Sequence, residues 1–297
     1  MKIGVQLPEV EREVRWSEIR DVALAAEDSG FDSIWLGDHL LYRDPDGETR
    51  GPWEAWSLLA GLAEATERVE LGPLVAATSF HAPAMIAKKA ATIDEISGGR
   101  LILGLGAGWN RTEFEAFGFP YDHRVSRFEE AFTIIRALVR EGAVDFQGRF
   151  YSNRELELIP PARSDMKILV GSNGPRMLAH TLPHADMWNT WHLDYGNRAD
   201  GLPPLLDVVD DVCRDVGRDP SEVERTAAVY VQLSRGAGRR AGNAEKQESE
   251  PISGSHEDIA KDLGAFERLG LSHIQVVLDP IDAKGVEELA SIVRLLR

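Results

Sequence analysis

Between Val69 and Trp109 the chain reads VELGPLVAATSFHAPAMIAKKAATIDEISGGRLILGLGAGW, a short apolar run, a helix-patterned segment, and a second apolar run ending in glycines. Ile86, Ala90, Ile93 and Ile96 recur every three or four residues and so share one helical face, while LILGL has the form of a buried strand. Strand, helix and strand in that order make a crossover between parallel strands. Such crossovers are right-handed, because a right-twisted strand feeding a right-handed helix packs back onto its sheet only that way. This stretch commits the chain to a parallel α/β architecture.

The alternation continues from end to end. Strands are predicted near Lys2–Leu7, Ser33–Leu36, Glu70–Ala76, Leu101–Leu105, Lys167–Gly171, Asp186–Asn189, Thr226–Leu233 and His273–Leu278. Helices are predicted at Ser17–Ser29, Ala55–Thr66, Pro83–Ile96, Arg124–Arg140, Pro175–Leu182, Leu205–Val216, His256–Arg268 and Ala283–Leu296. Eight β/α pairs predict a (β/α)8 TIM barrel, and 297 residues suit one barrel domain over 1–297 with loop insertions. An open doubly wound sheet is the competing architecture. It would make GLGAGW at Gly104–Trp109 a dinucleotide turn, but Trp109 stands where the third glycine belongs, and the motif falls in the fourth unit rather than the first.

Two polar stretches interrupt the regular units. Leu41–Trp53 is turn-rich and predicts a long loop after the second strand. Ser234–Ser255 follows the seventh strand and combines glycine, serine and charge, a composition that suits a mobile lid or a solvated loop equally.

The net charge of −16 argues against a nucleic-acid partner, which needs clustered Lys and Arg. Arg43, Lys88, Lys89, Arg111 and Arg176 remain available to meet a small anion locally. No apolar run is long enough to span a membrane, and a cytoplasmic location is expected. The single cysteine, Cys213, lies on a valine stripe and reads as core packing. His180 and His184 are interrupted by Pro183, there is no HExxH, GxSxG or GxxxxGK[ST] pattern, and no metal site is expected.

In a barrel the chemistry gathers at the C-terminal ends of the strands. Asp38 and His39 fall there, and a histidine can supply or hold a proton near neutral pH. A loop-capping role fits the same position. Gly171, Ser172, Asn173, Gly174, Pro175 and Arg176 join a strand to a helix, where free N–H groups can hold a phosphate, although a plain structural turn needs the same Gly and Pro. Phe80, Trp109, Trp188 and Trp191, with His81 and His192, are candidates for a substrate wall.

The βαβ segment, the strand end SIWLGDHL and the turn VGSNGPR together resemble the bacterial luciferase-like flavin and deazaflavin oxidoreductases, along the whole chain. The resemblance implies coenzyme F420, with FMN as the alternative cofactor. His39 would then lie at the redox centre beside Asp38. Aligning through Phe80 and Pro83 implies a non-prolyl cis peptide at Leu74–Val75, with Ala77 facing the ring system. Gly106, Gly108 and Asn110 would form the floor, opposite a phosphate-binding turn at Gly171–Arg176. A small organic substrate, a homodimer and a separate flavin or F420 reductase also follow from the resemblance. An FMN-dependent monooxygenase supplied with reduced flavin is the alternative activity. One departure stands out, because Trp109 occupies the place of a glutamate in the related sugar-phosphate dehydrogenases. This argues against glucose-6-phosphate and for a more apolar or planar substrate.

Overall fold

The computed structural model describes residues 1–44, 47–239 and 249–296. Eight parallel strands form the barrel: β1 (Lys2–Gln6), β2 (Ser33–Leu36), β3 (Glu70–Pro73, resumed at Ala76–Ala77), β4 (Ile102–Gly106), β5 (Lys167–Gly171), β6 (Met187–Thr190), β7 (Glu224–Gln232) and β8 (His273–Asp279). β1 pairs with both β2 and β8, and each later strand bonds its neighbour. The first half of β3 pairs with β2 and the second half with β4, so β3 closes the ring. A bridge between Leu71 and Leu101 reinforces that seam.

The helices are α1 (Trp16–Asp28), α2 (Ala55–Ala65), α3 (Pro83–Ile96), α4 (Arg111–Phe117), α5 (Arg124–Glu141), α6 (Pro175–Thr181), α7 (Pro203–Asp215), α8 (His256–Arg268) and α9 (Ala283–Val293). All but α4 ring the barrel, with α1 against α9 and α2, α2 against α3, and α8 against α9.

Alternation along each strand separates two cores. Ile34, Leu36, Leu103, Leu105, Ile168 and Val170 point outward into the layer shared with the helices. Trp35, Ile102, Leu169, Met187, Tyr230 and Val277 fill the barrel. Trp35 is fully buried, and its indole N–H donates to Ser33 Oγ at 2.7 Å. Gly4 leaves it room: a Cβ there would lie 2.7 Å from the indole nitrogen. The same serine oxygen lies 2.7 Å from His273 Nε2. Burial, helped by Lys2 and Lys167, pushes the His273 pKa down to about 3, so this imidazole is a neutral part of the core.

The structure departs from the sequence expectations in three places. The third strand breaks at Leu74–Val75 rather than running unbroken to Ala76. α4 forms in a stretch to which the pattern assigned no element, begun by Asn110, whose side chain accepts the N–H of Thr112. A hairpin of Ala143–Gln147 and Ser152–Glu157 lies between α5 and β5, an insertion the pattern did not reveal. Its strands are half exposed and charged, and its turn is held by Glu130, which accepts the N–H groups of Arg149, Phe150 and Tyr151.

The loop after β2 contains a small antiparallel pair, Tyr42–Arg43 with Thr49–Arg50. The loop after β7 is described up to Arg239 and from Ser249 onward; the central part of the segment read equally as a lid or a solvated loop, 240–248, lies outside the described residues.

Candidate active site

The strand ends open into a cavity of about 380 Å³, within the size range of small-molecule and cofactor sites. His39, three residues past β2, presents its imidazole there. Its Nδ1 lies 3.1 and 3.2 Å from the two carboxylate oxygens of Glu113, and its Nε2 lies 4.0 Å from Glu9 Oε1. Glu113 projects from α4 and is 1% exposed, and it also accepts the N–H groups of Leu40 at 2.6 Å and Leu41 at 3.3 Å. One carboxylate therefore fixes both the loop after β2 and the ring that loop carries.

Burial opposes a charge on His39, but the carboxylates of Glu9 and Glu113 outweigh it and hold the imidazole pKa above its ordinary value. Glu9 lies beyond the end of β1, and its Oε2 accepts from Gln6 Nε2 at 2.8 Å. Burial raises the Glu9 carboxyl above the usual range, with Glu11 and Glu113 adding to the effect and His39 and Arg239 opposing it. A Cβ at Gly37 would sit 2.4 Å from Glu9 Oε2, so the glycine makes room for this acid.

Asp38 has a different task from its neighbour. Its Oδ2 accepts the backbone N–H of Ala77 at 2.9 Å and lies 3.2 Å from His81 Nε2, so it ties the end of β2 to the resumed half of β3. Between the halves of β3, the Leu74–Val75 peptide is cis, at the bond the sequence alignment implied.

The glycines of neighbouring strands receive Val75. A Cβ at Gly104, Gly106 or Gly171 would approach a Val75 methyl to 3.1, 2.6 or 3.0 Å. Val75 thus forms a raised floor supported by β4 and β5, and those glycines admit a side chain of the protein itself. Gly108 is needed for its backbone, at φ 73°.

After β5, Ser172 and Asn173 face the cavity. Ser172 Oγ accepts the N–H of Gly174 at 3.2 Å, and Asn173 Nδ2 donates to Thr190 Oγ1 at 3.0 Å and Asp194 Oδ2 at 2.9 Å. Beside Gly174 the nearest atom to an added Cβ would be Ser172 Oγ at 3.8 Å, so the turn borders open space. Pro175 occupies the first position of α6.

Trp109 stands at the mouth, 43% exposed, with its ring centroid 5.7 Å from that of His39. Tyr42, Trp191 and Phe80 complete an aromatic border, and Arg239 packs over Trp191 at 5.4 Å while pairing with Glu11 at 3.0 Å.

Among the residues expected in the site, Gly174 and Pro175 continue the turn beyond the cavity lining, His81 and His192 lie outside that lining, and Arg176, Asn110 and Trp188 are directed elsewhere by other partners. Arg176 points along the surface to Glu129 and Ser126, with its Nε 2.7 Å from a Glu129 oxygen. Asn110 caps α4 and donates to Leu41 O at 3.1 Å, so it organises the loop rather than the floor. Trp188 is fully buried behind the turn against Leu178, Val209 and Cys213, and its indole N–H donates to Ser172 O at 2.8 Å. Strand parity explains Trp188: Met187 and Asn189 face inward, so the residue between them faces out.

Sequence reasoning passed over Glu9, Tyr42 and Glu113. Glu113 had a legible signal, because Asn110 followed three residues later by Glu113 is a helix-start spacing. Among the described residues there is no cluster suited to a metal ion, and no helix long and apolar enough to cross a membrane.

Barrel and site together define a strand-end cavity lined by an imidazole and by the interrupted third strand. The chain belongs to the luciferase-like monooxygenase family, whose profile matches residues 1–247. It is 35% identical over 179 residues to a 5,10-methylenetetrahydromethanopterin reductase of Archaeoglobus fulgidus, a match covering 60% of this chain and 49% of that protein. It is 32% identical over 164 residues to an F420-dependent glucose-6-phosphate dehydrogenase of Amycolatopsis mediterranei, covering 53% of this chain and 48% of that protein. The chain thus spans about half the length of these curated relatives. Among solved structures, an F420-dependent secondary alcohol dehydrogenase bound to an F420-acetone adduct superposes with a TM-score of 0.82 at 19% identity, over 100% of this chain and 99% of that one.

Proposed function

We propose that the protein is a coenzyme F420-dependent oxidoreductase that transfers hydride between the deazaflavin and a small organic substrate. The observation that carries this reading is His39, braced by Glu113 and facing Glu9, in the same cavity that Val75 lines. A group that can give or take a proton beside an apolar platform is what hydride transfer from or to a flat ring requires. The names of the relatives point the same way.

The residues present fit such a cofactor. The Leu74–Val75 bulge offers an apolar face, and Ser172 and Asn173 would provide polar contacts for a phosphate arm, with open space beside Gly174. Bound there, the deazaflavin supplies two-electron hydride chemistry. Val75 would support the ring, and His39 would hold a proton within the cavity. Asp38 acts at one remove, by fixing Ala77. A cytoplasmic location, a dimer of identical chains and a separate reductase that renews the reduced cofactor belong to the same proposal.

Side-by-side titration with F420 and FMN tests it, followed by exposing each reduced complex to air. F420 binds more tightly, and its reduced complex is reoxidised by an organic acceptor and hardly by oxygen. Tighter FMN binding with an oxygen-dependent peroxyflavin absorbance refutes the proposal and establishes a monooxygenase.

A further inference from the structure

His81 has three polar neighbours and two ring nitrogens to meet them. It precedes α3, and Lys89, further along that helix, reaches back to it because helical side chains tilt toward the N-terminus. Lys89 Nζ lies 3.1 Å from His81 Nδ1. His81 Nε2 lies 3.2 Å from Asp38 Oδ2 and 3.2 Å from the indole nitrogen of Trp56 on α2. A carboxylate only accepts and an indole N–H only donates, so Nε2 serves Asp38 when it carries hydrogen and Trp56 when it does not. Both partners are buried, so solvent replaces neither bond.

The partner of Nδ1 decides between them. A lysine ammonium only donates, so it needs a bare Nδ1 and leaves the ring hydrogen on Nε2, facing Asp38. Passing the lysine proton to the ring gives an imidazolium, which also carries hydrogen on Nε2. Once the pair has lost one proton to solvent, the ring hydrogen moves to Nδ1 and donates to the lysine lone pair. Nε2 is then bare and accepts from Trp56.

We infer that Lys89 and His81, outside the cavity lining, are positioning residues for it: with its extra proton the pair holds Asp38 and so the Ala77 wall, and without that proton the bond passes to Trp56. Asp38 and Ala77 both line the cavity. Asp38 Oδ1 is buried with no hydrogen-bond partner among the described residues, so the side chain is anchored through Oδ2, which holds Ala77 N–H and faces His81. Burial lowers the Lys89 pKa from its ordinary 10.5, while the carboxylates of Glu54 on α2 and Asp38 after β2 oppose the loss of its proton. The Trp56 ring, 4.5 Å from Nζ, also favours the ammonium. The bond to Asp38 therefore passes to Trp56 at a pH below that of an ordinary lysine.

The test reads the His81 ring nitrogens by 15N NMR in the full chain labelled with 15N-histidine, assigned by their loss in His81→Gln. In the unsubstituted protein Nε2 carries hydrogen at neutral pH and becomes bare as the pH rises through the Lys89 titration. Lys89→Met leaves Nε2 bare at neutral pH, and Lys89→Arg restores its hydrogen because a guanidinium stays charged. Adding Trp56→Phe to Lys89→Met also restores it, since the competing donor is gone. Hydrogen exchange of the Ala77 amide, measured without cofactor, is about fivefold faster in Lys89→Met, the worth of one hydrogen bond, and returns to the parent rate in the other two variants. F420 affinity, followed by fluorescence, falls by a similar factor and recovers in the same variants; only this effect rests on the hydride-transfer reading. An Nε2 that keeps its hydrogen in Lys89→Met, an Ala77 exchange rate there equal to the parent's, or an F420 affinity equal to the parent's overturns the inference. A parent protein that binds no F420, with ring and amide behaving as stated, refutes the cofactor reading and supports the positioning of Asp38 by Lys89.

Discussion

The contact between Val75 and the β4 glycine gives a prediction that needs no assumption about the reaction. A Cβ at Gly106 would come within 2.6 Å of Val75 Cγ2, against the ~3.5–4.0 Å at which carbon atoms rest. Gly106 has a backbone conformation open to any residue, so Gly106→Ala tests space alone. Relieving an overlap of about 1 Å requires Val75 or β4 to move, and overpacking of this kind costs about 1–3 kcal/mol. Val75→Ala removes both methyl groups from a half-buried side chain, at roughly 1–1.5 kcal/mol. Combined, the substitutions remove the clash, so the double variant is more stable than the sum of the single losses by at least about 1 kcal/mol. Urea unfolding of the four proteins measures this coupling. Additive losses, or a Gly106→Ala variant as stable as the parent, would refute the claim that the glycine is there to admit Val75.

Two further outcomes follow from the site. Glu113→Gln removes a charge that raises the His39 pKa, so the His39 resonance titrates at lower pH in the variant. Because the folded pKa is raised, protonation of His39 contributes stability that is fully present below the unfolded value of 6.5 and lost as pH rises through the folded pKa. The variant shows less of that loss, and an unchanged His39 titration would remove Glu113 from the account. Trp188→Phe deletes the bond to Ser172 O and destabilises the protein by about 1 kcal/mol, while the range of accepted substrates stays the same because the indole lies behind the turn. A changed substrate range would return Trp188 to the cavity wall.

The architecture was legible in the order of residues, because strand and helix periodicities are local properties of the chain. The run from Val69 to Trp109 already required a parallel crossover, and strand ends located Asp38, His39 and Gly171 on the reactive side of the barrel. The cis peptide at Leu74–Val75 was found through family resemblance, since nothing in the local pattern encodes it.

Which side chains meet depends on the packed chain. Glu113 reaches His39 across 74 positions of sequence, and Glu9 approaches the same ring from another strand end. Neither contact leaves a periodic trace. Strand parity, fixed only once the register is known, turned Trp188 outward and left Trp191 beside the cavity. Arg176 matched a phosphate-binding motif by position, but an ion pair with Glu129 on a neighbouring helix directs it along the surface. Periodicity is written in consecutive residues and can be read from them, whereas the direction of a side chain is settled by partners distant in the chain and near in space.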